Sequence, residues 1–311
     1  MDFLNAVLDI FTSESTYVNA ALFGGLLLFA ASGEWIAERA GTINISVEAM
    51  LLAGAFTSAI GYHLSGSAAV GLLAGAVGGV VIATVQAEMS HRLAADQFVV
   101  GLTLNILTVG LVGFLDRQIS TTTQKAAVWE VPLLSDLPLV GTALFGQPWP
   151  FLVLYAIVPI SWWLVFRTRW GLEVRASGED PQAADVSGIH VNRRRRQSIL
   201  YAGLTSGLGG AFLIFVQIGR FETGIVSGRG FIAIAAVIFG GWTLRGTVGG
   251  CVLFAGALSF RLSLQVLGYD QINSEFLQAL PFLFTIVAMA VFATRVRPPS
   301  ALARPFVRGL K

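Results

Sequence analysis

The sequence predicts an all-α membrane protein, a polytopic transmembrane helical bundle with about nine spans, and three observations carry that prediction. Hydrophobic residues make up 55% of the 311 residues and the mean hydropathy is +0.73, far above what a water-soluble chain carries. Only 12% of residues are charged, and they fall in short clusters between apolar stretches long enough to cross a hydrocarbon core about 30 Å thick. Many of the 35 glycines lie inside those stretches four residues apart, as in Gly71, Gly75 and Gly79, Gly203 and Gly207, and Gly246 and Gly250. That spacing lets helix backbones approach closely where lipid supplies no hydrophobic drive.

Residues 1–15 place Phe3, Leu4, Val7, Leu8 and Phe11 at helical spacing, which predicts an amphipathic interfacial helix. No charged region precedes this apolar run, so it does not read as a signal peptide. Spans follow at Tyr17–Trp35, Ile43–Tyr62, Ser67–Glu88, Phe98–Phe114, Pro150–Phe166, Ser198–Gln217, Phe231–Gly241, Thr247–Leu264 and Phe276–Thr294. The seventh is short for a full crossing and reads as a broken or re-entrant helix. Residues 116–149 are too polar for a span and long for a connection, which predicts an external loop that meets a partner or lids a pathway. Residues 167–197 form the corresponding polar segment on the inner side, and the whole of 1–311 reads as one membrane domain. A compositional echo between Ser46–Val81 and Phe231–Phe260, entering from opposite sides, predicts an inverted repeat.

Basic residues set the orientation, because cytoplasmic loops are enriched in Lys and Arg. With nine crossings, 15 of the 20 Lys and Arg fall on one side, in clusters at Arg39, Arg92, Arg167–Arg175, Arg193–Arg196, Arg245 and Arg295–Lys311. The N-terminus is therefore expected outside and the C-terminus inside a plasma or inner membrane. The lone Cys251 lies in a span, which excludes a disulfide framework or cysteine metal site, and a net charge of +2 points away from nucleic acid.

Within the inner segment, Asp180 suits an N-cap, Pro181 the first helical position and Gly188 the position just past the end. A helix of about two turns results, in which Ala183 and Ala184 allow close approach by a partner groove. The Arg193–Arg196 run beside it reads as a positive-inside anchor. Inside the spans, polar groups are costly unless satisfied or lining a cavity, which singles out Glu48, Asn105 and Gln217 as candidate pathway residues. Asn and Gln equally serve as interhelical hydrogen-bonding groups. Thr42 or Asn44 is expected to cap the helix that carries Glu48, leaving this carboxylate in its first turn.

Catalysis is not indicated. His63, His91 and His190 lie at loop positions unpaired with carboxylates in spans, no His-Glu-x-x-His motif occurs, and no metal or cofactor site is expected. No Gly-x-x-x-x-Gly-Lys loop occurs either, so any ATP must be handled by another chain.

Three separated stretches carry a family resemblance: Gly33–Met50 (GEWIAERAGTINISVEAM), Ala176–Val191 (ASGEDPQAADVSGIHV) and Gly228–Gly240 (GRGFIAIAAVIFG). They resemble permeases of the branched-chain amino acid and simple-sugar class of ABC importers, and most of all the shorter permease of nucleoside importers whose receptor is a basic-membrane-protein lipoprotein. The resemblance implies a heterodimeric permease core, an ATPase bound to each half on the cytoplasmic side, and an external lipoprotein that delivers a nucleoside. It also implies that Glu179–Gly188 is the coupling helix seated in a groove of the ATPase. A ribose or galactose permease of the same class and an ion-coupled carrier remain the alternatives. The expected topology has a direct test. Cysteines introduced at Ser135 and Ser187, in a Cys251→Ser background, are expected to react with an impermeant thiol reagent from opposite sides of the membrane; labelling of both from outside would overturn nine spans.

Overall fold

In a computed structural model, the described residues are 9–119, 121–266 and 297–307. Runs of helix-tolerant apolar residues, punctuated by glycine and bounded by polar turns, fold as helices of 18 to 28 residues. At 1.5 Å per residue these are about 27–42 Å long, enough to cross a bilayer. In chain order they are α1 (Glu14–Arg39), α2 (Val47–Ser65), α3 (Ala68–His91) and α4 (Gln97–Gln118). After a connection come strand β1 (Val128–Glu130), the short α5 (Gly141–Phe145), strand β2 (Gly146–Pro148) and α6 (Pro150–Arg167). The second half contains α7 (Arg169–Glu179), α8 (Pro181–Val186), α9 (Val191–Phe212, prolonged by a π-helix Leu213–Ile218), α10 (Arg229–Phe239) and α11 (Leu244–Val266).

Seven helices of the described residues are long and apolar enough to cross a membrane: α1, α2, α3, α4, α6, α9 with its π-turn, and α11. Eight of the nine expected spans thus coincide with helices. The seventh of those, α10, has 11 residues, about 16 Å, half a hydrocarbon core. The ninth, Phe276–Thr294, lies outside the described residues, as does most of the expected interfacial helix, of which residues 9–12 are helical.

Burial sorts the bundle. The most apolar windows of α9 and α1 are 83% and 72% buried, against 33% for α4 and α6, so α1 and α9 form the centre and α4 and α6 the rim. Rim side chains such as Ile106, Leu107, Phe114 and Trp163 are exposed, as a lipid-facing surface requires. The centre is held by glycine: a Cβ on Gly79 would lie 2.1 Å from the carbonyl oxygen of Gly203, one on Gly207 2.3 Å from that of Gly75, and one on Gly210 2.2 Å from that of Leu51. Helices α2, α3 and α9 therefore meet backbone to backbone, as the small-residue spacing predicts.

The described residues fit the all-α expectation, with one short β pair in the connection after α4. Helix α4 runs on to Gln118, and the connection beyond it contains the β1–β2 antiparallel pair, with Trp129 opposite Gln147. This connection is anchored on the π-turn that ends α9: Ala126 N–H donates to Phe215 O at 2.9 Å and Thr123 Oγ1 to Gly219 O at 2.6 Å. The backbone groups freed by the π-turn thereby find partners.

Gly207→Val is expected to force α9 off α3 and lower stability by about 1–3 kcal/mol or more. Gly249→Ala, where nothing lies within 4 Å of the added Cβ, should be neutral. Thermal unfolding in detergent compares the two, and equal midpoints would mean the close approach is not needed.

Candidate functional site

Between α1 and α2 the chain leaves helix for Ala40–Ser46, although Ala40, Gly41, Thr42, Asn44 and Ser46 are buried. Gly41 takes φ +88°, a conformation that glycine adopts without Cβ strain. Unwound backbone in so apolar a molecule needs partners within the protein. Ile43 N–H donates to Gln97 Oε1 at 2.9 Å, Asn44 N–H to Glu34 Oε1 at 3.2 Å, and Asn105 Nδ2 to Ile45 O at 2.9 Å. His91 Nε2 and Thr42 Oγ1 share a hydrogen bond of 3.0 Å. Four helices, α1, α3, α4 and the start of α2, therefore converge on seven residues.

The cap on α2 differs from the expectation. Ser46, rather than Thr42 or Asn44, is the N-cap residue, and its hydroxyl turns away to donate to Asn44 Oδ1 at 2.8 Å. The capping bond comes from another helix: Asn105 Oδ1 on α4 accepts from Ala49 N–H at 2.9 Å. Asn105 therefore uses both ends of its amide on the unwound segment and the first turn of α2. That is the interhelical role weighed beside the pathway reading, and the side chain is only 8% exposed.

Glu48 lies in the first turn of α2, as expected. Its two oxygens accept from Gly228 N–H at 2.6 Å and Gly230 N–H at 2.7 Å, at the start of α10. One carboxylate thus serves the positive ends of two helix dipoles, α2 and the half-length α10. Gly230 permits this approach, since a Cβ there would be 2.6 Å from Glu48 N. Gln217, in the π-turn, donates from Nε2 to Leu22 O on α1. Of the three candidate pathway residues, Asn105 and Glu48 flank the N-terminus of α2, and Gln217 ties α9 to α1.

Two acids that sequence reasoning left without roles are buried on α1. Glu34 and Glu38 are 0% and 1% exposed. Glu38 Oε2 accepts from Trp242 Nε1 in the α10–α11 turn, and Trp35 Nε1 donates back to Trp242 O at 2.8 Å. Trp242 is held at φ +54°, an uncommon conformation for a bulky residue. Glu34 Oε2 and Glu38 Oε1 have no hydrogen-bond partner among the described residues. The available signal was two carboxylates one helical turn apart in an apolar run, inside the Gly33–Met50 stretch.

In residues 167–197, Asp180 caps α8 as expected, its Oδ1 accepting from Gln182 N–H at 3.0 Å and Ala183 N–H at 2.9 Å, and Gly188 follows at φ +87°. Glu179 ends α7 and Pro181 opens α8. The orientation differs from the expectation in one respect. Ala184 faces its own chain at 4% exposure, whereas Gln182, Ala183 and Val186 face outward, Val186 at 89%. A partner would meet these three residues rather than Ala184.

Comparison with known proteins shows the family of the chain. The family described as permease component of the branched-chain amino acid transport system matches residues 16–289. The chain is 33% identical over 305 residues, covering 93% of it and 96% of the relative, to the nucleoside ABC transporter permease protein NupC of Lactococcus lactis subsp. cremoris. It is 32% identical over 321 residues to the guanosine ABC transporter permease protein NupQ of Bacillus subtilis, covering 97% and 99%. An ABC transporter permease of Haloferax volcanii provisionally named for glucose, TsgC13, is 31% identical over 310 residues, covering 91% and 94%.

Asn105→Ala strands a buried Ala49 N–H and Ile45 carbonyl, a loss of about 1–3 kcal/mol per orphaned group. A lower unfolding midpoint of the solubilised chain is the expected result. An unchanged midpoint would mean that the first turn of α2 finds another acceptor.

Proposed function

We propose that this chain, which belongs to the permease family of branched-chain amino acid transport systems, is the membrane-spanning subunit of an ATP-driven importer of nucleosides. The observation that carries the reading is identity of 33% and 32%, end to end, with two permeases named for a nucleoside and for guanosine. The relative provisionally named for glucose is comparably long but less similar, so a simple sugar is the second reading. The chain is a transport subunit rather than an enzyme, and ATP is used by a partner ATPase.

In this reading the functional unit comprises a second permease subunit in a heterodimer, an ATPase on the cytoplasmic face and an external substrate-binding lipoprotein. The chain crosses the membrane nine times with its N-terminus outside and its C-terminus inside, which the grouping of basic residues supports. Residues 46–81 and 231–260 form an inverted repeat. Two features support it: each is a helix pair closed by glycines, and the N-termini of their first helices meet at Glu48. Inverted repeats of this kind place half-helix N-termini near the midplane, beside the pathway. The cytoplasmic element that receives the ATPase is α8, with Asp180 and Gly188 fixing its ends and Ala183 and Val186 forming its contact face. Its six residues are too few to be stable alone, and packing of Ala184 against the chain holds it rigid.

The test is uptake by proteoliposomes that hold the permease pair, the ATPase and the receptor. ATP-dependent accumulation of radiolabelled guanosine or uridine, competed by unlabelled nucleoside and not by ribose or glucose, is expected. Accumulation of a hexose without nucleoside would replace the substrate assignment, and accumulation without the ATPase would remove the importer reading altogether.

A further inference from the structure

The four consecutive arginines that open α9 do not act as one basic patch, because successive residues on a helix project about 100° apart. Arg193 is exposed. Arg194 pairs with Glu173 on α7, and Arg196 Nη1 donates to Glu88 on α3 at 2.6 Å. Arg195 turns into the protein and is fully buried at 0% exposure. Its acceptors are all backbone carbonyls: Nε donates to Ala40 O at 3.1 Å, Nη1 to Arg304 O at 2.6 Å, and Nη2 to Ser177 O at 3.3 Å and Ala301 O at 3.5 Å.

Burying a guanidinium away from water is unfavourable unless its donors are satisfied. Here the compensation comes from helix ends. Ala40 is the C-cap of α1 and Ser177 lies in the last turn of α7, where free carbonyls and the helix dipole concentrate negative potential. The remaining acceptors belong to the tail at residues 297–307, itself stitched to both helix ends. Ala301 N–H donates to Gly178 O at 2.9 Å and Ala303 N–H to Gly41 O at 3.2 Å. The contact between α7 and α1 is close enough that a Cβ on Gly178 would lie 2.2 Å from Arg39 O.

We propose that Arg195 is the positioning residue that binds α7 and α8, the end of α1 and the tail at 297–304 into one rigid block, so that displacement of α8 is delivered to α1. The inference rests on the coupling role proposed above for α8. From the block, α1 continues to Glu38, hydrogen-bonded to Trp242 in the α10–α11 turn, and to Glu34, hydrogen-bonded to the unwound segment that precedes α2. A push on α8 reaches α7 through Asp180, which joins the two helices, and passes from the block along α1 to both polar contacts. Lysine does not reproduce the fork: its ammonium is a point charge with three donors, set against four acceptors on three chain segments.

Arg195→Lys and Arg195→Gln, in the complete importer reconstituted in proteoliposomes, test this. The readout is nucleoside moved per ATP hydrolysed. Arg195→Lys is expected to assemble and hydrolyse ATP while that ratio falls about tenfold, the equilibrium weight of one lost charge-assisted hydrogen bond. A variant that assembles with an unchanged ratio overturns the proposal, because a merely structural residue would lower yield and leave coupling intact. Should neither variant assemble, hydrogen exchange in the wild-type importer decides. Protection of the Ala301 and Ala303 amides is expected to persist with the ATPase both nucleotide-free and locked with ATP, and loss of protection in either state overturns it. A wild-type complex with no ATP-dependent uptake would instead defeat the functional reading on which the inference stands.

Discussion

The structure depends on one constraint: wherever the chain leaves helix among apolar neighbours, every backbone N–H and C=O it frees must find a partner within the protein. The segment Ala40–Ser46 is the main case. Its amides and carbonyls are held by Glu34 from α1 and by Gln97 and Asn105 from α4, and Thr42 is bonded to His91 at the end of α3, which fixes where α1, α3 and α4 stand around the start of α2. The same constraint explains why α10 can be only 11 residues long. Its first amides are bonded by Glu48, so its N-terminus needs no water. Glu34, Gln97, Asn105 and Arg195 are thus accounted for by irregular backbone, and only secondarily available for cargo.

Close approach of glycines is the second condition, and it serves the first. Because α2, α3 and α9 meet at glycine backbones, side chains from one helix can reach the ends of another. Likewise Gly101 lets α4 come close to Ile45, where an added Cβ would lie 2.6 Å from Ile45 Cβ, and Asn105 reaches from α4 to Ala49 N. Larger residues at Gly79, Gly207 or Gly210 would move the helices apart by more than a hydrogen bond tolerates, because the nearest carbonyls lie 2.1–2.3 Å from the added Cβ.

The helices were legible because span length and hydropathy are local quantities. Eight expected spans fall on helices, and the ends of α8 are set by Asp180 and Gly188, whose turn chemistry is equally local. What was not legible depends on residues far apart in the chain. Asn105 as a cap for α2 acts across 56 residues, and the Arg195 fork reaches carbonyls 106 and 109 residues away. Four arginines in a row read as one surface charge, since composition does not reveal that one helical step turns a side chain from solvent into the core. The inward turn of Ala184 was hidden for the same reason: a six-residue helix has too little pattern to say which side is covered. The β1–β2 pair escaped notice because its three-residue strands are held by the end of α9 rather than by a hydrophobic alternation of their own.

Glu48 decides between two mechanisms for such a membrane chain. An ion-coupled carrier needs an intramembrane carboxylate that binds its ion and releases it in each cycle, so at least one oxygen must be exchangeable. Both oxygens of Glu48 are bonded to amides at the start of α10, where the helix dipole adds to the attraction. Freeing them would leave two N–H groups and a carboxylate unpaired in a part-buried site, an unfavourable change of several kcal/mol in each cycle. A fixed Glu48 suits a machine in which energy enters elsewhere and arrives through rigid elements. Arg195 joins α7, the end of α1 and the tail at one end of the bundle, and α1 leads from there to Glu34 and Glu38. The bonded acid near the start of α2 and the bonded base at the start of α9 therefore favour the same division of labour, with ATP hydrolysis outside this chain and movement within it.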